Sequence, residues 1–184
     1  MSNGTLHRYT AFSNNPAGGN PAGVWIGDAL PDAATMQAIA GEVGYSETAF
    51  VAPTHGRARV IRYYSPEAEV PFCGHATIAT GVVLGTNDGD GVYRLATPVG
   101  EVPVEVRVRD GRREAALTSV VPRHESASAA LTEATLSTLR WKRENWIRRF
   151  PRHAPSPAPG TWCSRSPTPA RWRGSITTST GSRR

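Results

Sequence analysis

The segment from His75 to Leu84 constrains the fold of this 184-residue chain more than any other part of it. It reads HATIATGVVL, with small or apolar residues on nearly every face of a helix. Such a helix has no side suited to water, so it must be enclosed by other structure. We therefore predict a buried helix over 74–84, with the rest of the domain arranged as a shell around it.

The shell is predicted to consist of strands, because short runs of β-branched and aromatic residues are bounded by Gly, Pro, Asn and Asp. These runs are 5–12, 24–26, 47–51, 57–64, 92–95, 102–108 and 114–120. Two more helices are predicted, one over 31–43 with Asp32 as its N-cap and one over 127–139. The expected fold class is α+β, with β-structure wrapped around a central buried helix.

Charge divides the chain into two unlike parts. A net charge of +6 spread along a whole chain would indicate a nucleic-acid or membrane partner. Eight of the 21 basic residues, however, are arginines within 145–184, a range with no acidic residue. This leaves 13 basic against 15 acidic residues in 1–144. No nucleic-acid partner and no membrane partner are therefore expected for that front part.

The two cysteines, Cys73 and Cys163, lack the paired spacing of a zinc site. The chain has no charged-then-apolar leader at Met1, and no apolar run approaches the ~20 residues that span a bilayer. We expect a soluble protein of the reducing cytoplasm without a structural metal.

The composition changes abruptly after Glu144. Residues 145–184 contain six prolines and eleven serines and threonines, with only Ile147 and Ile176 as aliphatic residues larger than alanine. Such a segment cannot bury enough apolar surface to offset the entropy of ordering, so disorder is expected. Three origins are open: a basic nucleic-acid-binding arm, a disordered linker, or translation in the wrong reading frame.

A displaced reading frame can be tested on the residues themselves. If the first base of each present codon became a middle base, codons beginning with T would specify Phe, Leu, Ile, Met or Val. Trp162, Cys163 and Trp172 always convert in this way, because every codon for tryptophan or cysteine begins with T. The apolar string that results favours a frameshift near Glu144 and a truncated chain. The predicted parts are a first domain at 1–121, the start of a second domain at 122–144 and a frameshifted tail at 145–184.

Two short motifs whose residues suit ligand binding or catalysis lie before the buried helix. Gly18-Gly19-Asn20-Pro21-Ala22-Gly23 is a loop between strands, whose glycines permit close approach of a ligand, although an ordinary surface turn is the alternative. Gly44 to Phe50 places Glu47 where a helix ends and a strand begins. Glu47 is either solvated there or, in a dry cleft, suited to proton abstraction and return.

The third motif, Pro71 to Thr77, leads directly into the predicted buried helix. His75 falls in the first turn, where free N–H groups and the positive dipole end favour an anionic substrate and disfavour an imidazolium. The alternative is a satisfied structural histidine. Cys73 is either a thiol base or an inert buried cysteine.

In order and spacing, GNPA at 19–22, SETAF at 46–50 and PFCGHAT at 71–77 together resemble the PhzF-like phenazine-biosynthesis family. The resemblance covers residues 6–121 and continues weakly to 144. It implies the diaminopimelate-epimerase-like fold, in which two similar domains each wrap β-structure around a central helix and the active site lies between them. The aspartate and the glycine-serine pair of the family's second domain have no counterpart in 145–184.

The resemblance also implies an isomerase without cofactors, acting by proton transfer on a small carboxylated metabolite. The best understood member moves a double bond in a dihydro-hydroxyanthranilate, and many members are homodimers. Glu47 would be the acid/base, and His75 would complete the catalytic pair and orient the substrate. The substrate would be bound by Asn20, Ser46, Cys73 and Gly74.

Two alternatives stay open beside this interpretation. The related epimerases use a cysteine at the position resembling Cys73, so two-base racemisation is the alternative chemistry. The alternative function is a basic-tailed binding protein, in which 145–184 contacts nucleic acid or an acidic partner. If the isomerase interpretation holds, the truncated chain is expected to be inactive as translated.

Overall fold

Helix α2, Gly74–Asp88, is the centre of the fold and confirms the predicted buried helix. Ten consecutive residues, from Ala76 to Gly85, are buried. Glycines on this helix allow strands to approach it closely. A Cβ atom added at Gly81 would lie 2.7 Å from Val104 Cγ1 and 2.9 Å from Ala115 Cβ. The helix backbone therefore packs directly against strand side chains on this face.

The computed structural model describes residues 3–121, 125–141, 153–154 and 171–175. The other helices are α1 (Ala33–Val43) and α3 (Ala129–Thr138). The strands are β1 (Gly4–Ala11), β2 (Asn20–Gly27), β3 (Glu47–Pro53), β4 (Ala58–Tyr64), β5 (Glu69–Val70), β6 (Gly91–Thr97), β7 (Gly100–Arg109), β8 (Arg112–Thr118), β9 (Glu125–Ser126), β10 (His153–Ala154) and β11 (Arg171–Ser175). Each predicted strand and helix is present with bounds shifted by a few residues.

Nine of these strands form one curled sheet in the order β1-β2-β3-β4-β6-β7-β8-β11, with β5 paired to β4, and β9 and β10 form a separate two-stranded sheet. Two neighbouring pairs, β2 with β3 and β4 with β6, are parallel. Parallel neighbours need a long crossover, which α1 and α2 provide. Helix α2 crosses inside the curl, where its side chains and those of the strands form the main core. This architecture confirms the predicted α+β fold class.

A second, smaller core lies on the opposite face of the sheet, beneath α1. It contains Trp25, Phe50 and Tyr64, whose sequence neighbours point into the main core because side chains alternate along a strand. Helix α1 begins as predicted, with the Asp32 carboxylate accepting a hydrogen bond from the Thr35 N–H at 2.8 Å. Among the described helices, none is long and apolar enough to cross a membrane.

The described residues beyond 144 form two short strands. β10 pairs with β9, and β11 pairs antiparallel with β8 at the edge of the main sheet. The expected disorder of 145–184 therefore differs from the structure at 153–154 and 171–175, and the rest of that range lies outside the described residues. An open sheet edge offers unpaired N–H and C=O groups, so it can order a strand through the backbone even where the sequence is poor in apolar residues.

Candidate active site

The three sequence motifs meet where helix α2 begins. Strands β2 and β3 run parallel with Ala22 opposite Glu47, so both strands start at the same edge of the sheet. Cys73 is the N-cap residue of α2, and His75 lies in its first turn. The His75 ring donates a hydrogen bond to the carbonyl of Pro21, which ties the start of β2 to the helix.

Glu47, Cys73 and His75 form a compact cluster of a carboxylate, a thiol and an imidazole. The His75 Nε2 atom lies 3.5 Å from Glu47 Oε2 and 3.5 Å from Ser46 Oγ. The His75 Nδ1 atom lies 3.2 Å from Cys73 Sγ. The side chains of His75 and Glu47 are 10% and 24% exposed. The cluster is thus mostly buried, with the carboxylate on its more accessible side.

Burial is the main influence on His75 and lowers its pKa below the ordinary value of 6.5. The Glu47 carboxylate and the Pro21 carbonyl act in the opposite direction, because both stabilise the protonated ring. The net shift is downward, so the imidazole is neutral at pH 7. A neutral ring donates through one nitrogen and accepts through the other.

Burial also dominates at Cys73 and raises the pKa of its thiol to about 12. The backbone N–H of Ala76 stabilises the thiolate, whereas the Glu47 carboxylate destabilises it. The thiol is therefore protonated at neutral pH. Of the two interpretations of Cys73, this environment favours the inert buried cysteine over the thiol base.

Alkylation of Cys73 by iodoacetamide should be slow near neutral pH and should accelerate about tenfold for each pH unit up to about pH 10, because only the thiolate reacts. The rate is measured by mass spectrometry on the Cys163→Ser variant, in which Cys73 is the one thiol. A short peptide with one cysteine and blocked ends is the reference, and its rate should level off above about pH 8.5. A Cys73 rate that levels off at the same pH as the reference would contradict the raised pKa.

Two buried hydroxyl groups hold the backbone of Cys73 in place. The Tyr63 hydroxyl lies 2.7 Å from Thr77 Oγ1, which donates in turn to the Cys73 carbonyl at 2.6 Å. Burial raises the pKa of Tyr63, so this hydroxyl stays protonated and donates a hydrogen bond to the Thr77 hydroxyl. The chain of hydrogen bonds fixes the backbone at the start of α2. No sequence pattern links Tyr63 to Thr77, although Thr77 belongs to the third motif.

Replacing Thr77 with valine should destabilise the fold by about 1–3 kcal/mol, because it leaves the Tyr63 hydroxyl and the Cys73 carbonyl unpaired in a buried position. The free energy of unfolding is measured by urea titration. Thr80→Val is the matched control in the same helix, since the Thr80 hydroxyl is buried without a hydrogen-bond partner among the described residues. That control should be neutral or stabilising, and equal losses in the two variants would contradict a role for the network.

The remaining predicted site residues differ in how closely they approach the cluster. Ser46 contacts His75 directly. Gly74 is the first residue of α2, and apart from its chain neighbours and the backbone of its own helix no described atom lies within 4 Å of a Cβ added there, so a ligand can approach it from that side. Asn20 begins β2 opposite Ala11 and is exposed. The prediction of a loop over 18–23 was wrong for 20–23, which belong to β2 and pair with β1. Within this stretch, Pro21 rather than Asn20 contacts His75.

A sheet curled around a buried helix, with acid, thiol and imidazole groups at the start of that helix, defines a domain of the diaminopimelate-epimerase-like fold. A predicted epimerase of Pseudomonas aeruginosa shares this fold with a TM-score of 0.65 at 24% identity, over 76% of this chain and 51% of that one. The family is shown by sequence. The chain belongs to the phenazine biosynthesis-like protein family, PhzC-PhzF, whose model matches residues 9–161.

Individual relatives agree with this assignment. The uncharacterized isomerase YfhB of Bacillus subtilis is 36% identical over 126 residues, which cover 66% of this chain and 43% of that protein. A trans-2,3-dihydro-3-hydroxyanthranilate isomerase of Pseudomonas fluorescens is 36% identical over 111 residues, or 58% of this chain and 40% of that protein. The PhzF-family phenazine biosynthesis protein of Bacillus anthracis has a solved structure with a TM-score of 0.57 at 30% identity, over 66% of this chain and 42% of that one. The chain spans less than half the length of the curated relatives it matches.

Proposed function

We propose that Glu47 and His75 form one wall of the active site of a cofactor-independent isomerase, which moves a proton on a small carboxylated metabolite. The observation that carries this proposal is the Glu47 carboxylate, 3.5 Å from Nε2 of a buried histidine at the start of an enclosed helix. The relatives named as isomerases support the reaction class. The name of the hydroxyanthranilate isomerase supports a carboxylated substrate.

The start of α2 provides the binding site for the substrate's carboxylate. Its first turn contains no acidic residue of its own, and the Cys73 side chain makes no capping hydrogen bond to the N–H groups there. The free N–H groups of the first turn bind anions, and the open space at Gly74 lets a ligand reach them. The His75 ring lies beside these N–H groups, in the same turn, and limits the positions that the bound group can take.

Glu47 is the proton carrier in this scheme. Its carboxylate removes a proton from a carbon of the bound substrate, and the electron pair of the broken C–H bond shifts an adjacent double bond. The protonated Glu47 then returns the proton to another carbon of the same molecule. Substrate and product are isomers, so no oxidant, reductant or cofactor enters the balance. A base held beside the reacting carbon contributes about 10²–10⁴-fold to such a step.

We further propose that this chain is inactive by itself and that 145–184 is encoded in a displaced reading frame. The composition of that range and the family's two-domain cleft support both statements. Resequencing the gene across codon 144 tests the frame. The loss of one nucleotide near that codon accounts for the displacement, so the expected result is one nucleotide more than the sequence that encodes this chain. An uninterrupted frame through Arg184 would contradict the displacement.

Solvent exchange tests the isomerase itself. The chain as it stands and a frame-restored chain are incubated in D₂O with a panel of small unsaturated carboxylates, and deuterium at carbon is measured by mass spectrometry. The restored chain should label at least one candidate and the present chain none. Equal labelling by both chains would contradict the inactivity, and the absence of labelling by the restored chain across the panel would contradict the proposed reaction.

A further inference from the structure

We propose that Glu47, Cys73 and His75 bind a Zn²⁺ ion as three protein ligands of a tetrahedral site, whose fourth position takes water. The spacing of the two cysteines in the sequence gives no reason to expect zinc. The fold changes this by bringing a carboxylate from the start of β3 to a thiol and an imidazole at the start of α2. One ligand atom from each of the three residues lies within 4.8 Å of the others.

The spacing of these atoms is close to that of a zinc site. Zn–S bonds of about 2.3 Å and Zn–N and Zn–O bonds of about 2.0–2.2 Å place tetrahedral ligand atoms roughly 3.3–3.6 Å apart. Cys73 Sγ lies 3.2 Å from His75 Nδ1, which is the spacing of two ligands on one ion. The Glu47 carboxylate lies 3.5 Å from the other ring nitrogen, Nε2, and its ligand atom is within 4.8 Å of the other two. With Nδ1 bound to the ion, the Glu47 side chain must therefore move toward Cys73 to complete the ligand set.

The surroundings of the cluster also suit a metal. Zinc-bound histidines usually donate their second ring N–H to a carbonyl or carboxylate, and the Pro21 carbonyl is already hydrogen-bonded to the His75 ring. The backbone of Cys73 is fixed by the Thr77 hydroxyl. Cys73 is 6% exposed, and the side chain of Glu47 is 24% exposed, which leaves the carboxylate side open to solvent for the fourth ligand. Three protein ligands and one open position form the arrangement of an accessible zinc site.

Zinc at this position would inhibit proton transfer, a consequence that rests on the proposed function. Coordination to the cation lowers the basicity of the Glu47 carboxylate, so it takes a proton from carbon less readily. It also holds His75 through the ring that would orient the substrate. The Cys73 thiol loses its proton to solvent as the Zn–S bond forms, and it takes a proton back when the metal leaves. The inhibition should therefore be reversed by a chelator. Binding itself needs no substrate and is measured independently of isomerisation.

Cobalt is the spectroscopic probe for this site, because it replaces zinc in tetrahedral sites and absorbs strongly when bound to a thiolate. Co²⁺ is added to the full chain, the near-ultraviolet sulfur-to-cobalt charge-transfer band is followed, and Zn²⁺ is then titrated in to displace the cobalt. We expect a band with one Co²⁺ per chain that disappears as Zn²⁺ is added. The absence of the band at saturating Co²⁺ would overturn the proposal.

Variants assign the ligands. Cys73→Ser should remove the band, whereas Cys163→Ser, the matched change at the other cysteine, should keep it. Glu47→Gln retains the side-chain volume at a partly exposed position. It should weaken Zn²⁺ binding by more than about 10–100-fold, which is the usual loss when a residue that only hydrogen-bonds to a metal ligand is removed. His55→Gln, an exposed histidine, should leave affinity unchanged. A band that survives Cys73→Ser, or unchanged affinity in Glu47→Gln, would overturn the site. If zinc binds but the restored chain labels no substrate, the isomerase proposal fails alone.

Discussion

Replacing Glu47 with glutamine should reduce deuterium incorporation by the frame-restored chain about 10²–10⁴-fold, the usual contribution of a positioned acid or base. Glutamine has the same shape and can still contact His75, but its amide cannot accept a proton from carbon at neutral pH. Substrate affinity should change little, because the carboxylate of the substrate is bound at the start of α2. The rate of label uptake is measured as a function of substrate concentration to separate kcat from KM.

Glu42→Gln is the matched control for this change, since Glu42 is an exposed carboxylate on α1. Its exchange rate should equal that of the unsubstituted restored chain. If Glu47→Gln kept full exchange while Cys73→Ala lost it, the proton carrier would be the thiol and the racemase chemistry would replace the proposed one. A rise in KM with unchanged kcat would instead make Glu47 a binding residue.

Replacing Gly81 with leucine should destabilise the fold by about 3 kcal/mol, at the upper end of the range for overpacked cores. A Cβ at Gly81 would already lie 2.7 Å from Val104 Cγ1 and 2.9 Å from Ala115 Cβ, and leucine adds three further carbons. The Ala115 methyl is attached directly to the backbone of β8, so the helix and strand must separate to admit the new side chain. Denaturant titration measures the loss as a lower midpoint with an unchanged slope.

Gly41→Leu makes the same change on the exposed side of α1. The described atom nearest to a Cβ added there is the Pro66 carbonyl oxygen, at 4.0 Å. Leucine is a better helix former than glycine by about 0.8 kcal/mol, so this variant should be as stable as the parent or more stable. A Gly81→Leu variant that lost no more stability than Gly41→Leu would mean that α2 and the sheet are not in tight contact.

Local sequence patterns predict the helices and strands of this fold, because the residues that determine most of these elements lie within the element itself. Helix α2 begins at the predicted Gly74, since the run of small and apolar residues starts there. It extends past the predicted end at Leu84 to Asp88, because its last residues are exposed and add nothing to an apolar pattern. The two-residue strand β5 has too few residues for a period-2 pattern to be visible.

Contacts between distant segments are the part that the sequence leaves undetermined. The motifs identify Glu47 and His75 as residues suited to chemistry, but only the parallel register of β2 and β3 and the crossover of α2 bring them together. The same holds for Tyr63 and Thr77, which are joined by tertiary packing alone. Functional roles stay predictions for the site residues, since side-chain placement does not identify a substrate.

The enclosure of α2 has a consequence for the motions of the site. Amides in the middle of α2 are shielded by the sheet on every side, so they should exchange with solvent only in rare openings of the whole domain. His75 lies in the first turn, directly before this slowly exchanging stretch, so the helix that carries it should open rarely. The spacing between Glu47 and His75 should therefore persist while less protected parts of the chain open and close.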